Sequence, residues 1–144
     1  MAKAAVLDKS STGTTRNYAR EIGEHIKQKG IEVQLSSIQE YSRDQNILDN
    51  SDYVFLGCWT KGLMVIFQHP AKAWQDFASR LPEMPDAKLA HFTTYTLVTG
   101  SMFNNMRKHL NGQAKAPTLE LKSRDGSLSP QDKQALDQFV GQVP

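Results

Sequence analysis

A run of hydroxyl-bearing residues occupies the turn between the first predicted strand and the first predicted helix. Residues 10–15 read SSTGTT, with no apolar side chain among them. A helix N-terminus carries unpaired N–H groups and a positive partial charge, so a turn placed there attracts anions. The hydroxyls of Ser10, Thr12 and Thr15 can each donate a hydrogen bond, and a glycine at position 13 allows close backbone approach. The turn therefore either binds a phosphate monoester or is a plain serine or threonine cap.

Two other kinds of phosphate-binding loop are excluded by the residues at this turn. The loop has no lysine after its glycine, as GxxxxGK[ST] requires, which argues against a nucleoside triphosphate. It also lacks GxGxxG, which argues against a dinucleotide. A cofactor with a single phosphate is therefore favoured.

The segments around the turn alternate between strand and helix patterns. Predicted strands cover Ala4–Leu7, Ile31–Leu35, Asp52–Gly57, Lys88–Tyr95 and Pro117–Leu121. Predicted helices cover Thr14–Lys29, a short segment around Asp44–Leu48, Pro70 to Pro82, Ser101 to Gly112, and the end of the chain from Ser129. This alternation predicts a doubly wound α/β fold, a parallel sheet with helices on both faces.

The apolar stripes of three predicted helices identify candidate core residues. They are Ala73, Trp74, Phe77 and Leu81 in the third helix; Met102, Phe103, Met106 and Leu110 in the fourth; and Leu136, Phe139, Val140 and Val143 in the last.

Composition indicates an ordinary globular chain. The 144 residues are 39% hydrophobic and 22% charged, which predicts one domain spanning residues 1–144. The longest apolar run, Leu63–Phe67, is too short to span a bilayer, and no secretory signal is evident. The single cysteine, Cys58, suits the cytoplasm.

Charge and histidine placement exclude two further classes of protein. The net charge is +2, from 17 basic and 15 acidic residues that are spread along the chain, so no stripe for nucleic acid is predicted. The four histidines are scattered, and none stands at metal-ligand spacing from the cysteine, so no metal site is predicted.

Four stretches of the chain resemble flavodoxins. The run at 10–15 resembles their [ST]-x-T-G-x-T phosphate loop, in the same place between strand and helix. The stretch DYVFLGCWTKG at 52–62 is similar to the third strand and first flavin loop, and KLAHFTTYTLVTGSMF at 88–103 to the fourth strand and second flavin loop. The ending at 121–139 is similar to the tails of bacterial members. The resemblance implies the short-chain flavodoxin-like fold, a five-stranded sheet in the order 2-1-3-4-5 with FMN as cofactor.

The resemblance also implies which residues contact FMN, from three loops of the fold. They are Ser10, Ser11, Thr12, Gly13, Thr14, Thr15, Cys58, Trp59, Thr60, Lys61, Gly62, Thr94, Tyr95, Thr96 and Gly100.

Four of these implied contacts have an alternative interpretation. Trp59 either stacks on the flavin or is a core or interface tryptophan, and the conformation around Tyr95 is open. Lys61 either pairs with the charge of reduced flavin or is a solvated lysine. Cys58 is interpreted as a small packing residue beside the site.

The chain departs from the flavodoxin pattern in three ways. Electron-carrying flavodoxins are usually strongly acidic, whereas this chain carries a net charge of +2. Thr60 stands where a glycine is common, and the second flavin loop lacks the acidic residues of many members. These differences bear on the redox partner and the potentials more than on FMN binding.

Three functions are open at this stage. The leading hypothesis is a non-enzymatic carrier that passes electrons singly between redox partner proteins. The alternatives are an FMN-dependent oxidoreductase acting on quinones or NAD(P)H, which would oxidise NAD(P)H steadily, and a cofactor-free interaction module, which would be colourless. The apolar run Leu63–Phe67 either packs in the core, lines the flavin edge, or forms a homodimer or partner surface.

Overall fold

A computed structural model of the protein describes residues 2–9, 13–43, 48, 51–59, 61–63, 66–69, 72–79, 87–95, 102–108 and 119–141. The strands are β1 (Lys3–Lys9), β2 (Glu32–Ser37), β3 (Tyr53–Trp59), β4 (Lys61–Leu63), β5 (Ile66–His69), β6 (Lys88–Thr94) and β7 (Leu119–Ser123). The helices are α1 (Thr14–Lys27), α2 (Ile38–Arg43), α3 (Lys72–Ser79), α4 (Met102–Lys108) and α5 (Pro130–Gly141). In this part of the chain no helix is long and apolar enough to cross a membrane.

Five strands form one parallel sheet in the order β2-β1-β3-β6-β7. Counted along the main sheet this is 2-1-3-4-5, which confirms the predicted architecture. The register brings the strand ends together, with Lys9 opposite Cys58, Trp59 opposite Thr94, and Thr94 opposite Ser123. We call this side of the sheet the carboxyl edge, where open α/β sheets bind ligands.

Helices cover both faces of the sheet, because alternate side chains of each strand point to opposite sides. The α1 face, covered by α1 and α5, includes Ala4, Val6, Tyr18, Ala19, Ile22, Ile26, Tyr53, Phe55, Phe92, Leu136 and Phe139. The α3 face, covered by α2, α3 and α4, includes Ala5, Leu7, Ile38, Leu48, Val54, Leu56, Trp74, Phe77, Leu89, Met102 and Met106.

The predicted apolar stripes are confirmed where the structure describes them. The third, fourth and last helices bury Trp74, Phe77, Met102, Met106, Leu136 and Phe139, and Phe103 and Val140 pack against the same clusters. The first helix ends as predicted before Gly30, whose φ of +83° favours glycine. The helix bounds predicted at Pro70, Pro82, Ser101 and Gly112, and the stripe residues Leu81, Leu110 and Val143, lie outside the described residues.

A helix was predicted around Asp44–Leu48, and of this segment only Leu48 lies within the described residues. Helix α2, which was not predicted, spans Ile38–Arg43, directly after β2. Its start is explained by a capping box, in which Glu40 N donates to Ser37 Oγ at 3.1 Å and Ser37 N donates to Glu40 Oε1 at 3.0 Å. The sequence signal was therefore present in SIQE at residues 37–40.

The segment after Trp59 was predicted as a loop, and this prediction is wrong for part of it. Strands β4 and β5 pair antiparallel, with Lys61 opposite His69 and Leu63 opposite Ile66, and β5 lies alongside α4. Antiparallel pairing lets a short return segment satisfy its own backbone groups. The strand predicted at Ile31–Leu35 runs to Ser37, and Pro117 lies outside the described residues.

Candidate cofactor site at the carboxyl edge

Helix α1 begins at the carboxyl edge, immediately after the hydroxyl-rich run. Its N-cap is Gly13, with φ of +92°, and Asn17 N donates to Gly13 O at 2.9 Å. A Cβ at Gly13 would have no atom of the described residues within 4 Å. The alternative of a plain serine or threonine cap is therefore wrong for this helix. A 14-residue helix that opens on a positive-φ glycine presents its positive end to an approaching anion.

Thr15 fixes this helix end against the sheet. Its Oγ1 lies 2.6 Å from Thr94 Oγ1, and both side chains are buried. The two predicted site residues are 79 positions apart in the chain, and the contact brings the start of α1 beside the end of β6. Thr15 was predicted as a phosphate donor, and in the structure its hydroxyl faces Thr94.

An ion pair that the sequence analysis missed joins β1 to α1 across the predicted phosphate loop. Arg16 Nη1 lies 2.7 Å from Asp8 Oδ1, and Arg16 Nη2 lies 3.7 Å from Glu40 Oε1. Burial raises the pKa of Asp8, while the hydrogen bond from Arg16 opposes that rise. Because Asp8 ends a buried strand and Arg16 lies in the first turn of α1, the pair holds the two ends of the 10–12 segment together. The sequence signal for this ion pair was Asp8 itself, a carboxylate in an otherwise apolar strand.

The loop after β7 also packs on the first turn of α1. Gly126 has φ of +82°, and a Cβ there would lie 2.6 Å from Thr14 O. Asn17 Nδ2 donates to Gly126 O at 3.0 Å, and Gly126 N donates to Ser123 Oγ at 3.0 Å. Only glycine fits this approach without strain. The Asp125-Gly126 dipeptide was the sequence signal for a turn, but not for its contact with α1.

Trp59 and Cys58 end β3 and have different environments. The Cys58 side chain is fully buried on the α3 face, which confirms its interpretation as a packing residue, and Thr93 Oγ1 donates to Cys58 O at 2.6 Å. Trp59 is partly buried and packs against the same cluster together with Phe103. A large aromatic ring with one part in the core and one part at the carboxyl edge can border a flat ligand.

Tyr95 follows β6 at the same edge. Its backbone N–H donates to Ser123 O at 3.2 Å, which extends the pairing of β6 and β7 by one residue. The side chain is partly buried, and two basic groups lie near its ring: Lys122 Nζ at 6.0 Å and Arg124 Cζ at 5.6 Å from the centroid. Tyr95 is thus held beside the end of β7.

The structure brings about half of the predicted site residues to one edge. Gly13, Thr14, Thr15, Cys58, Trp59, Thr94 and Tyr95 all lie at the ends of β3 and β6 or the start of α1. Lys61 and Gly62 lie in β4. Ser10, Ser11, Thr12, Thr60, Thr96 and Gly100 lie outside the described residues. An anion-binding helix end beside two aromatic side chains fits a ligand with one phosphate and a flat ring.

Comparison with solved structures agrees with this fold. The flavodoxin 1 of Bacillus cereus matches with a TM-score of 0.71 and 20% identity, over 99% of this chain and 100% of that one. The flavodoxin of Megasphaera elsdenii matches with a TM-score of 0.73 and 17% identity, over 96% of this chain and 98% of that one. A flavodoxin from the domain Archaea matches with a TM-score of 0.65 and 19% identity, over 95% and 92% of the two chains. At these identities the likeness establishes the fold.

The family follows from the sequence itself. The sequence model of the flavodoxin family matches residues 6–116, which is most of the chain and includes the hydroxyl-rich run, Trp59 and Tyr95. The protein therefore belongs to the flavodoxin family, whose members bind FMN and carry electrons rather than act as enzymes.

Proposed function

We propose that this protein holds FMN at the carboxyl edge, with its phosphate at the start of α1 and its ring between the ends of β3 and β6, and passes single electrons between partner proteins. One observation carries the proposal. The positive-φ N-cap Gly13 and the bond between Thr15 and Thr94 place the anion-attracting end of α1 at the strand end next to Trp59. Helix end and aromatic ring are thus close enough for one cofactor to use both.

Each part of this edge has a role in the proposal. The N-terminus of α1 attracts the phosphate, and the hydroxyls of Ser10 and Thr12 donate hydrogen bonds to it. Trp59 and Tyr95 border the ring and exclude water from it. Bound FMN would supply reversible oxidation and reduction, which no side chain here provides.

The proposal is tested by comparing FMN with riboflavin, which lacks the phosphate. Apoprotein is titrated with each while flavin fluorescence is followed. We expect FMN to bind at least tenfold more tightly, since a hydrogen bond to a charged group is worth about 1.5–3 kcal/mol. Equal affinities would show that the helix end does not hold the phosphate and would refute this placement.

Two glycines beyond the ends of α1 offer a matched pair of variants. Gly13 and Gly30 flank the helix at its two ends, both have positive φ, and a Cβ at either would have no described atom within 4 Å. Gly13→Ala and Gly30→Ala should therefore each destabilise the fold by about 1–2 kcal/mol. Only Gly13→Ala should also weaken FMN binding. An equal loss of affinity in both variants would mean that strain, and not position at the site, is responsible.

The domain and its location complete the proposal. Residues 1–144 act as one flavodoxin-like domain; in its support, the main sheet uses strands from residue 3 to residue 123 and α5 returns to the α1 face. The protein works in the cytoplasm, which suits a chain whose single cysteine is buried. The predicted homodimer through Leu63–Phe67 stays a prediction, because Met64 and Val65 lie outside the described residues.

A further inference from the structure

Two basic side chains lie near Tyr95, the aromatic residue that follows β6. Lys122 and Arg124 lie within about 6 Å of the Tyr95 ring centroid, the range of cation–π attraction. The bond from Tyr95 N to Ser123 O keeps the ring beside the strand that carries both cations. We call Tyr95, Lys122 and Arg124 the cationic corner. Both positive charges therefore lie close together at the carboxyl edge, next to Tyr95.

The acidic residues next to this pair in sequence are engaged elsewhere. Asp125 Oδ1 accepts from Ser127 N at 2.9 Å and from Ser123 Oγ at 3.2 Å, and these bonds lower the pKa of its carboxyl. Glu120 Oε2 accepts from Arg107 Nε at 3.1 Å. The ionised Asp125 offsets part of the local charge, but its oxygens serve the turn that follows β7. Lys122 and Arg124 are both exposed.

We infer that the cationic corner is a docking surface for a redox partner protein whose contact surface is acidic. The inference rests on the proposed function, since it concerns the edge at which FMN would exchange electrons. Charges of opposite sign steer two proteins into productive orientation and raise association rates, most strongly at low salt. The chain has a net charge of +2 and places two cations beside the site. The partner chemistry that fits is therefore acidic.

The test uses two inorganic oxidants of opposite charge on the FMN-loaded, reduced full chain. Hexacyanoferrate(III) is a trianion and hexaammineruthenium(III) a trication. Each takes one electron from the reduced protein, so that one iron(III) becomes iron(II) or one ruthenium(III) becomes ruthenium(II), and any proton released goes to the buffer. We expect the rate with hexacyanoferrate(III) to fall as salt is added, and the rate with hexaammineruthenium(III) to rise.

Removing both positive charges of the cationic corner should lower the rate with the anionic oxidant relative to the rate with the cationic oxidant. In the Lys122→Gln/Arg124→Gln double variant, the ratio of the anion rate to the cation rate should fall about tenfold at low salt. A change in flavin potential alone would move both rates in the same direction, so the ratio isolates charge at the point of approach. The matched control, Arg20→Gln/Lys27→Gln, removes two exposed cations from α1 and should leave the ratio within about twofold of the original protein.

A second arm asks whether an acidic polypeptide occupies the same surface. Poly-L-glutamate should slow the hexacyanoferrate(III) reaction of the original protein and have little effect on the double variant, whereas poly-L-lysine should not slow it. An unchanged rate ratio in the double variant, or equal effects of the two polypeptides, would overturn the inference. A protein that takes up no reducible flavin would instead refute the proposed function, and the two failures are therefore distinguishable.

Discussion

The two faces of the sheet bury similar apolar clusters but treat their polar atoms differently. On the α1 face, Tyr18 OH donates to Asp132 Oδ2 at 2.9 Å, and Tyr53 OH donates to Val140 O at 2.7 Å. On the α3 face, Trp74 Nε1 and both ring nitrogens of His91 are buried without a hydrogen-bond partner among the described residues. The two tyrosine hydroxyls of the α1 face thus position α5. The three nitrogens of Trp74 and His91 make no such bond to a described element.

This difference in hydrogen bonding follows from the positions of the rings in the fold. Both tyrosine hydroxyls reach polar groups of α5, whereas His91 lies in the middle of β6, edge-on to Trp74 at a centroid distance of 5.9 Å. Among the described residues, the carboxylate oxygen Glu120 Oε2 lies 3.9 Å from His91 Nδ1, and it accepts a hydrogen bond from Arg107. A buried polar group without a hydrogen-bond partner lowers stability, and we expect this cost for His91 and Trp74 on the α3 face.

The largest effect is expected from His91 at low pH, where burying this ring should lower the free energy of unfolding. Burial, helped by the charge of Arg107, lowers the pKa of His91 to about 3, from 6.5 for a free histidine. Between these values the unfolded chain binds a proton that the folded protein does not, so stability is lost as pH falls from about 6.5 towards 3. The His91→Leu variant should not show this loss of stability. Its stability, measured by urea unfolding, should exceed that of the original protein by a margin that grows about 1.4 kcal/mol per pH unit below pH 6.

The control for this prediction is His25→Gln, which removes a histidine from the surface, where His25 Nε2 lies 2.8 Å from Asp137 Oδ1. It should leave the steep acid dependence in place. Parallel pH profiles for His91→Leu and the original protein would show that His91 is partnered in solution, and the contrast between the faces would disappear.

Removing a tyrosine hydroxyl on the α1 face should have the next largest effect. Tyr18→Phe takes a donor from the carboxylate of Asp132 and should lower the free energy of unfolding by about 1.5–3 kcal/mol. Burial and Asp132 both raise the pKa of Tyr18, so its hydroxyl stays protonated and donates at neutral pH. Tyr53→Phe breaks a bond to a neutral carbonyl and should cost about 0.5–1.5 kcal/mol. Urea midpoints of the two variants at pH 7 give the comparison, and equal losses would contradict it.

A smaller effect than that of Tyr18→Phe is expected for Trp74→Phe on the α3 face. This change removes an N–H without a described partner, so only packing is lost. The cavity left by the smaller ring should lower stability by about 1 kcal/mol, with no hydrogen-bond contribution. Thermal and urea unfolding measure it. A loss larger than that of Tyr18→Phe would mean that the indole N–H makes a bond in solution.

Much of the fold was predictable because it depends on local periodicity. The alternation of apolar runs and amphipathic stripes gave the five main strands and their helices, and the stripe residues Trp74 and Leu136 are buried as predicted. The elements that were missed are short, and their sequence signals extend over only a few residues. The capping box at Ser37 and Glu40 was overlooked, and the segment after Trp59 was interpreted only as a loop.

The candidate site was predictable in part, for a related reason. The run at 10–15 and the aromatic residues after two strands could be recognised locally, and parallel topology requires them to meet at one edge. The partners of Asp8 and Thr14 could not be found this way. Arg16 is near in sequence but acts through a buried contact, and Gly126 meets Thr14 only because the loop after β7 folds back onto α1.

The sequence by itself determined the order of the five main strands, the parallel sheet and the family, because periodicity and a contiguous motif are local properties of a chain. Only the tertiary structure decided which buried polar atoms are satisfied, that Thr15 meets Thr94, and that two cations surround Tyr95. A strand pattern states which face a side chain takes, but not which residue from a distant segment faces it. Those pairings depend on how α1, β6 and β7 pack, and packing is a property of the whole chain.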